Sequence, residues 1–557
     1  MDATRAPTGL VAQIRSFDAI FWICIFMELM ERMAYYGVRL VVPVYMVLST
    51  SDGGPGLTHS EKGTILACWA AMQSWLPTFA GGFSDRFGYK RTIAVSVLLK
   101  TAGYAGMALA GDFWTMFIGT QLLAAGTGLF KPGIQGTMAH SIAKAPGSDS
   151  MGWGLFYQSV NVGAAISAYI PMFTRDVYGW NSVFWACSAI VLSNLVPLFF
   201  YDDPVDERPG GRDDRDALTL VRESLRELFT SPVLLGFILI SAGFWFSFHQ
   251  LFDMLPNYVD DWTDSSLLLR DVGAAFGWES WTEAAARGEK IPQERLLNTN
   301  ALMIMLTMFV FAWLSSKMRV LTSTIVGMTI LTVAISFFAM SANVYLVLAG
   351  IVTYTIGEML ASPKRQEYMA SLAPPGKRAL YLGYANMPDG IGWVLGSLVA
   401  GDAYEHRGDK INLCRTFLAE QADAADLELF TRKMSEWPAE VQAEAAKAIV
   451  ERLNLPAQTS SSAAVDALVR SGDALQQLPT VVPRNQVFAF TTEAVPTLPS
   501  GASSTPDALR EYLFATYHPG QVWWLFLGIG AASVVLMVAY DRWVRRRLAS
   551  ERLQPAA

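Results

Sequence analysis

Residues 26–46, FMELMERMAYYGVRLVVPVYM, set Glu28, Glu31, Arg32, Tyr35 and Arg39 three or four positions apart in an otherwise apolar run. On a helix that spacing gathers them into one polar stripe. An ionised side chain at mid-bilayer costs roughly 2.5–3.5 kcal/mol even on the gentlest scale, so four unpaired ones would cost on the order of 10 kcal/mol. The stripe must therefore face a cavity. Glu28 and Arg32, at i and i+4, can pair, which leaves Glu31 wanting a cation or a proton. The chemistry open to such a set is proton exchange at the two carboxylates and capture of a charged group. The alternative is a structural ion-pair knot that orients the helix.

Further charges fall within apolar stretches. Glu358 is the lone carboxylate in the middle of its span, and Lys131 is another buried cation. Asp389, between Pro388 and Gly390, is placed to line a cavity because those neighbours loosen the helix. Asp253 falls at the end of its span, and Lys100 lies mid-span with no partner named by the sequence.

The elements that must position these residues are transmembrane helices. The chain is 52% hydrophobic and 16% charged, and apolar runs recur along its 557 residues, which excludes a soluble class. Twelve spans are expected, at 17–49, 59–83, 91–111, 113–139, 154–173, 180–200, 231–256, 298–316, 320–340, 343–370, 378–400 and 521–541. Arg86, Lys90, Arg91, Lys317, Arg319, Lys377, Arg378 and the basic tail all fall on one side, which places both termini in the cytoplasm. No cleavable signal peptide is visible before the first span. The four cysteines show neither metal spacing nor a disulfide framework.

The expected organisation is an all-α membrane protein in two six-helix halves. Residues 1–201 form the first bundle, 202–229 a cytoplasmic linker, and 230–400 helices seven to eleven. Residues 401–520 form an extracytoplasmic, partly helical insert, and 521–557 the last helix and basic tail. In the linker, Leu218, Val221, Leu225 and Leu228 have the spacing of an amphipathic surface helix. The insert carries 16 acidic against 10 basic residues, so most of the net charge of −7 is a solvated acidic surface. Its segment 438–456 is helix-like, while QTSSSAAVD and TLPSGASSTPD read as linkers.

The loop GGFSDRFGYKRT, residues 81–92, resembles the G-x-x-x-D-R-x-G-x-K/R motif of the major facilitator superfamily. Asp85, Arg86 and Arg91 would then form a cytoplasmic charge cluster that breaks and re-forms as the halves rock. More specifically, ELMERMAYYGVR resembles the E-x-x-E-R-F-x-Y-Y-G-x-R signature of the proton-coupled oligopeptide transporters, with Met33 in place of phenylalanine. GTGLFKPGIQG, FYQSVNVGAAIS, FWFSFHQ, IPQERLLNTNALMI and GEMLASPKRQEYMASLAP are similar to further family segments in the same order.

The resemblance implies roles. Glu28, Glu31, Arg32 and Lys131 would carry proton coupling, with Lys131 accepting Glu31. Glu358 would take a peptide's ammonium group while Arg39 and Lys131 hold its carboxylate. Tyr35, Tyr36, Asn161 and Asn300 would bond the peptide backbone. Trp75 would stand at the place of a span-two tyrosine. His249 replaces the usual glutamate of span seven, as a proton carrier or as a histidine hydrogen-bonded within the bundle. The expected partners are short peptides and the lipid bilayer, with no nucleic acid, no metal and no cofactor beyond protons, in a monomer of the bacterial inner membrane. Alternatives are a carrier of nitrate, another small anion or a metabolite, and a non-transporting sensor. An enzyme is not expected: SIAK, residues 141–144, matches S-x-x-K but lacks companion motifs.

Overall fold

The computed structural model describes residues 10–49, 52–203, 226, 228–374, 381, 383–421 and 484–553. The expected linker helix, apart from its last turn, and the helix-like segment 438–456 lie outside the described residues.

The long helices are α1 (Ala19–Arg39), α2 (His59–Phe87), α3 (Tyr89–Ala108), α4 (Phe113–Ala143), α5 (Asp149–Ser167) and α6 (Asn181–Leu192) in the first half. The second half has α7 (Pro232–Phe248), α8 (Gln293–Ser316), α9 (Val320–Met340), α10 (Val344–Leu372), α11 (Met387–Arg407) and α12 (Val522–Leu553). Among the described residues, seven helical stretches are long and apolar enough to cross a membrane. Helix α1 is not one of them, since Glu28, Glu31, Arg32 and Arg39 dilute its apolar run.

Side chains that satisfy otherwise orphaned N–H groups fix where the helices begin. Asp18 accepts from the amide of Phe21, Thr58 and Glu61 form a capping box, and Asp112 caps α4. Helix α3 is capped from a distance by Asp203, which accepts from the amides of Tyr89 (3.3 Å) and Lys90 (3.0 Å). Gly88, at φ 97°, allows this, because a side chain there would be strained and would collide with Asp203.

Each half has its own apolar core. Phe21, Trp69, Tyr104, Phe130 and Phe184 anchor the first, and Leu251, Tyr258, Leu331, Tyr354 and Trp523 the second. Leu306, Phe309, Val310 and Trp313 of α8 face outward, as lipid-facing positions do.

Several span boundaries needed correction, the first and eleventh among them. The first span breaks after Arg39 and continues as the short helix Val42–Tyr45. Helix α11 runs on to Arg407, into the segment read as an insert.

The described parts of 401–520 are also less linker-like than expected. Helices Lys410–Gln421, Val487–Ala494 and Pro506–Tyr517 bury Cys414, Phe417, Leu418, Val487, Leu509 and Leu513 in the second core. TLPSGASSTPD forms a tight turn in which the amide of Leu498 donates to Ala502 (2.9 Å) and the Leu498 side chain is buried.

Hydrogen bonds joining the halves gather at the end where α1 finishes and α2 begins. There the Lys62 ammonium donates to Asn257 (2.7 Å), Gln293 to the Leu40 carbonyl (2.9 Å) and Asn257 to the Pro43 carbonyl (3.0 Å).

Candidate functional site

Midway along α1 lies a buried charge cluster. Glu31 pairs with both Lys100 and Arg32, and Arg32 Nε also lies 3.2 Å from Glu28 Oε1. Glu31 and Lys100 are fully buried, and Lys100 Nζ sits 4.4 Å from the Phe130 ring centroid. Close helix approach makes the cluster possible. A Cβ on Gly126 of α4 would fall 2.6 Å from Lys100 Cγ, and one on Gly163 of α5 would fall 2.9 Å from Arg32 Cβ. The glycines of two sequence motifs are thus spacers around the charges.

This arrangement corrects the expected pairing. Lys100, on α3, is the lysine that takes Glu31, and Lys131 is not among the partners of Glu31. Two cations and two carboxylates balance in the cluster, but unevenly: Glu31 has two cationic contacts and Glu28 one.

Beside the cluster, between the halves, lies a cavity of about 280 Å³. That is near the lower edge of small-molecule pockets, roughly 300–1,000 Å³. Arg32, Tyr35, Tyr36, Arg39, Lys131 and Asn161 line it from the first half. His249, Asn300, Glu358, Arg365 and Asp389 line it from the second. Trp75 is not among the lining residues and is 43% exposed; Gln73, two residues earlier, lines the cavity and donates to the Tyr35 hydroxyl (3.0 Å).

Arg39 lines the cavity but is committed across the interface. Its guanidinium pairs with Asp253, which also accepts from Trp393 Nε1 (3.0 Å) and Ser397 Oγ (2.5 Å). The carboxylate-holding role expected of Arg39 is therefore opposed by an existing partner.

Glu358 accepts from Asn300 Nδ2 (2.8 Å), and among the described residues it has no cationic partner. Asn300 also donates to Thr355 Oγ1 (3.0 Å), while Asn161 Nδ2 is buried without an acceptor. Lys131 makes no ion pair among the described residues. The cavity thus holds an unpaired carboxylate on one half and an unpaired ammonium on the other, an arrangement suited to a zwitterion.

His249 stacks on Trp393, with centroids 4.5 Å apart, and its Nε2 lies 3.2 Å from Asp389 Oδ1. Of the expected cytoplasmic cluster, Arg91 is exposed at the start of α3. The side chains of Asp85 and Arg86 lie outside the described residues.

A second buried cluster went unread in the sequence. Arg484 Nη2 lies 2.8 Å from Asp261 Oδ2 and also pairs with Asp409, while His59 Nε2 is 3.1 Å from Asp409 Oδ1. The backbone amide of Arg484 donates to Asp52 of the first half (2.9 Å). The ligating atoms of His59, Asp261 and Asp409 lie within 4.8 Å of one another, as around a metal, but the guanidinium of Arg484 occupies the cation's place. Burial acts against the charge on Asp409, yet Arg484 and the hydrogen bonds from His59 and the Asn412 amide outweigh it, holding the carboxyl well below its usual range.

Two helical bundles enclosing a charged central cavity define a secondary carrier. The Major Facilitator Superfamily profile matches residues 21–397, and the chain belongs to that superfamily. It is an integral membrane transporter family, not one of enzymes.

Among its relatives, the chain is 24% identical to peptide transporter YePEPT of Yersinia enterocolitica over 461 residues, 70% of this chain and 88% of that one. It is 30% identical to dipeptide and tripeptide permease B of Salmonella typhimurium over 200 residues, 35% of this chain and 39% of that one. In fold it resembles a structure of peptide transporter POT in complex with sulfate, at a TM-score of 0.57 and 18% identity, covering 69% of this chain and 90% of that one. It also resembles tetrameric PepTSo2, at a TM-score of 0.52 and 21% identity, covering 69% and 89%. The family resemblance read from the motifs is borne out by these relatives.

Proposed function

We propose that this chain is a proton-coupled symporter of di- and tripeptides working by alternating access. The observation that carries the reading is the opposition of Glu358 and Lys131 across the cavity. A peptide's ammonium satisfies the first and its carboxylate the second, while Tyr36, Asn161 and Asn300 meet its backbone without reading side chains. An anion carrier has no use for Glu358. The names of the relatives support the same substrate class.

Protons enter through the Glu28, Glu31, Arg32 and Lys100 cluster. Glu28, which has Arg32 at 3.2 Å where Glu31 has both Arg32 and Lys100, is the less firmly held carboxylate and takes the proton; its neutralisation loosens the hold on Arg32, which can then turn toward a substrate carboxylate. Lys131 completes the path between cluster and substrate. No cofactor enters this scheme.

Twelve spans and cytoplasmic termini fit the positions of the basic loops, and a bacterial inner membrane fits the organisms of the relatives. The bundles are residues 1–201 and 230–407 with the last helix of 521–557, the linker is 202–229, and the described helices between Lys410 and Tyr517 cap the outer face. The hydrogen bonds gathered at that face support an outward-closed state, in which Arg39 with Asp253 is part of the outer gate. Asp85, Arg86 and Arg91 act at the opposite face. The working unit is a monomer.

The test is uptake of labelled dialanine into proteoliposomes under an imposed inward proton gradient. Accumulation that an uncoupler abolishes is expected. Uptake of nitrate in its place, or no uptake of either, would defeat the reading.

A further inference from the structure

The second half contributes one cation to the cavity that the scheme above does not use. Arg365 of α10 lies over the ring of Trp245, its guanidinium carbon 4.3 Å from the centroid, with Nε and Nη1 buried and without hydrogen-bond partners. Its ionic contact is a long one, 3.5 Å from Nη1 to Asp389 Oδ1.

That same carboxylate is already shared. Asp389 receives His249 at 3.2 Å and lies within electrostatic reach of Lys131. Arg365 and Lys131 together carry two positive charges against one from Asp389, and the cavity's other carboxylate, Glu358, is taken by the ammonium group in the scheme above. Glu358 lies seven residues before Arg365 on α10. At 1.5 Å rise and 3.6 residues per turn, the two share a face, two turns and roughly 10 Å apart.

We propose that Arg365 forms a second carboxylate-accepting subsite of the cavity, facing the ammonium anchor at Glu358 along the same helix. The inference rests on the peptide reading. Two parts of a peptide can supply the carboxylate. One is the acidic side chain of a dipeptide whose terminus is held by Lys131. The other is the C-terminus of an extended tripeptide, since three residues at about 3.3–3.6 Å each span roughly the distance from Glu358 to Arg365. Its unpartnered N–H groups suit either, because a guanidinium donates charge-assisted hydrogen bonds to a carboxylate.

The test uses the full chain in proteoliposomes and measures inhibition of labelled dialanine uptake. Ala-Glu is compared with Ala-Gln, and trialanine with its C-terminal amide. In the native protein the carboxylate-bearing member of at least one pair is expected to bind about tenfold more tightly, the scale of a charged hydrogen bond. Arg365→Gln should collapse that ratio and Arg365→Lys should restore part of it. Asp389→Asn, which removes the competing carboxylate, should enlarge it, and this arm remains informative if Arg365→Gln does not fold. The pair whose ratio responds identifies the source of the carboxylate. Ratios unchanged by Arg365→Gln and by Asp389→Asn would overturn the subsite while leaving peptide transport standing. Failure of dialanine uptake itself would overturn the peptide reading, and the subsite with it.

Discussion

Lys100 of α3 pairs with Glu31 of α1 in a fully buried contact, with Gly126 leaving the space through which the lysine reaches. Breaking such a pair leaves the surviving charge in a low-dielectric interior. Lys100→Ala should therefore lower stability by about 3–5 kcal/mol, whereas Lys100→Met combined with Glu31→Gln should recover much of the loss. Thermal melting in detergent measures both. A single variant as stable as the native protein would show that Glu31 finds another partner.

Glu28 and Glu31 differ in what holds them, and their variants should differ too. Glu28→Gln is expected to abolish gradient-driven uptake, retain counterflow exchange and melt close to the native temperature. Glu31→Gln should also lose gradient-driven uptake, but with a lowered melting temperature, because Lys100 is then left without its carboxylate. Concentrative uptake by Glu28→Gln would move the proton site elsewhere.

At the opposite wall, Glu358→Gln should weaken binding of free dipeptides by about 1.5–3 kcal/mol, the worth of a hydrogen bond to a charged group. N-acetylated dipeptides, which bring no ammonium, should lose much less. Equal losses in a competition assay would assign Glu358 a structural role.

Arg484 neutralises two buried aspartates, so Arg484→Ala should cost several kcal/mol, again on the scale of about 3–5 kcal/mol for a broken buried pair. The pH dependence has a definite sign. Asp409 has a lowered folded pKa, so its contribution is present above the unfolded value of about 3.9 and is lost as pH falls below it toward the folded value. The gap in melting temperature between native and variant should persist from about pH 5 to pH 8 and narrow in stronger acid. A gap that stayed constant down to pH 3 would contradict the assignment.

Residues 401–520 are not one dispensable block, because their described helices bury side chains in the second core. Replacing 422–483 with a short Gly/Ser linker should leave proton-driven uptake intact. Extending the replacement through Arg484 should impair folding, since that removes the guanidinium shared by Asp261 and Asp409. Uptake and melting of the two variants decide the matter.

The sequence by itself determined the helical class, the polar stripe on α1 and the family to which the motifs point. Those features are local: a helix places i, i+3 and i+4 on one face whatever surrounds it, and bilayer cost marks every buried charge as meaningful. It also supplied Lys131, Asn161, Asn300 and Glu358 as residues that meet at one cavity, through motif resemblance. Partner choice was not local. Lys100 is 69 positions from Glu31, Asp253 is 214 from Arg39 and Arg484 is 223 from Asp261. Each pair is fixed by how closely two helices or segments pack, which glycine contacts and the folding of 484–520 onto the second core decide. Only the tertiary structure could therefore reveal that Lys100 displaces Lys131 beside Glu31, that Arg39 is spent on an interface, and that Gln73, not Trp75, faces the cavity.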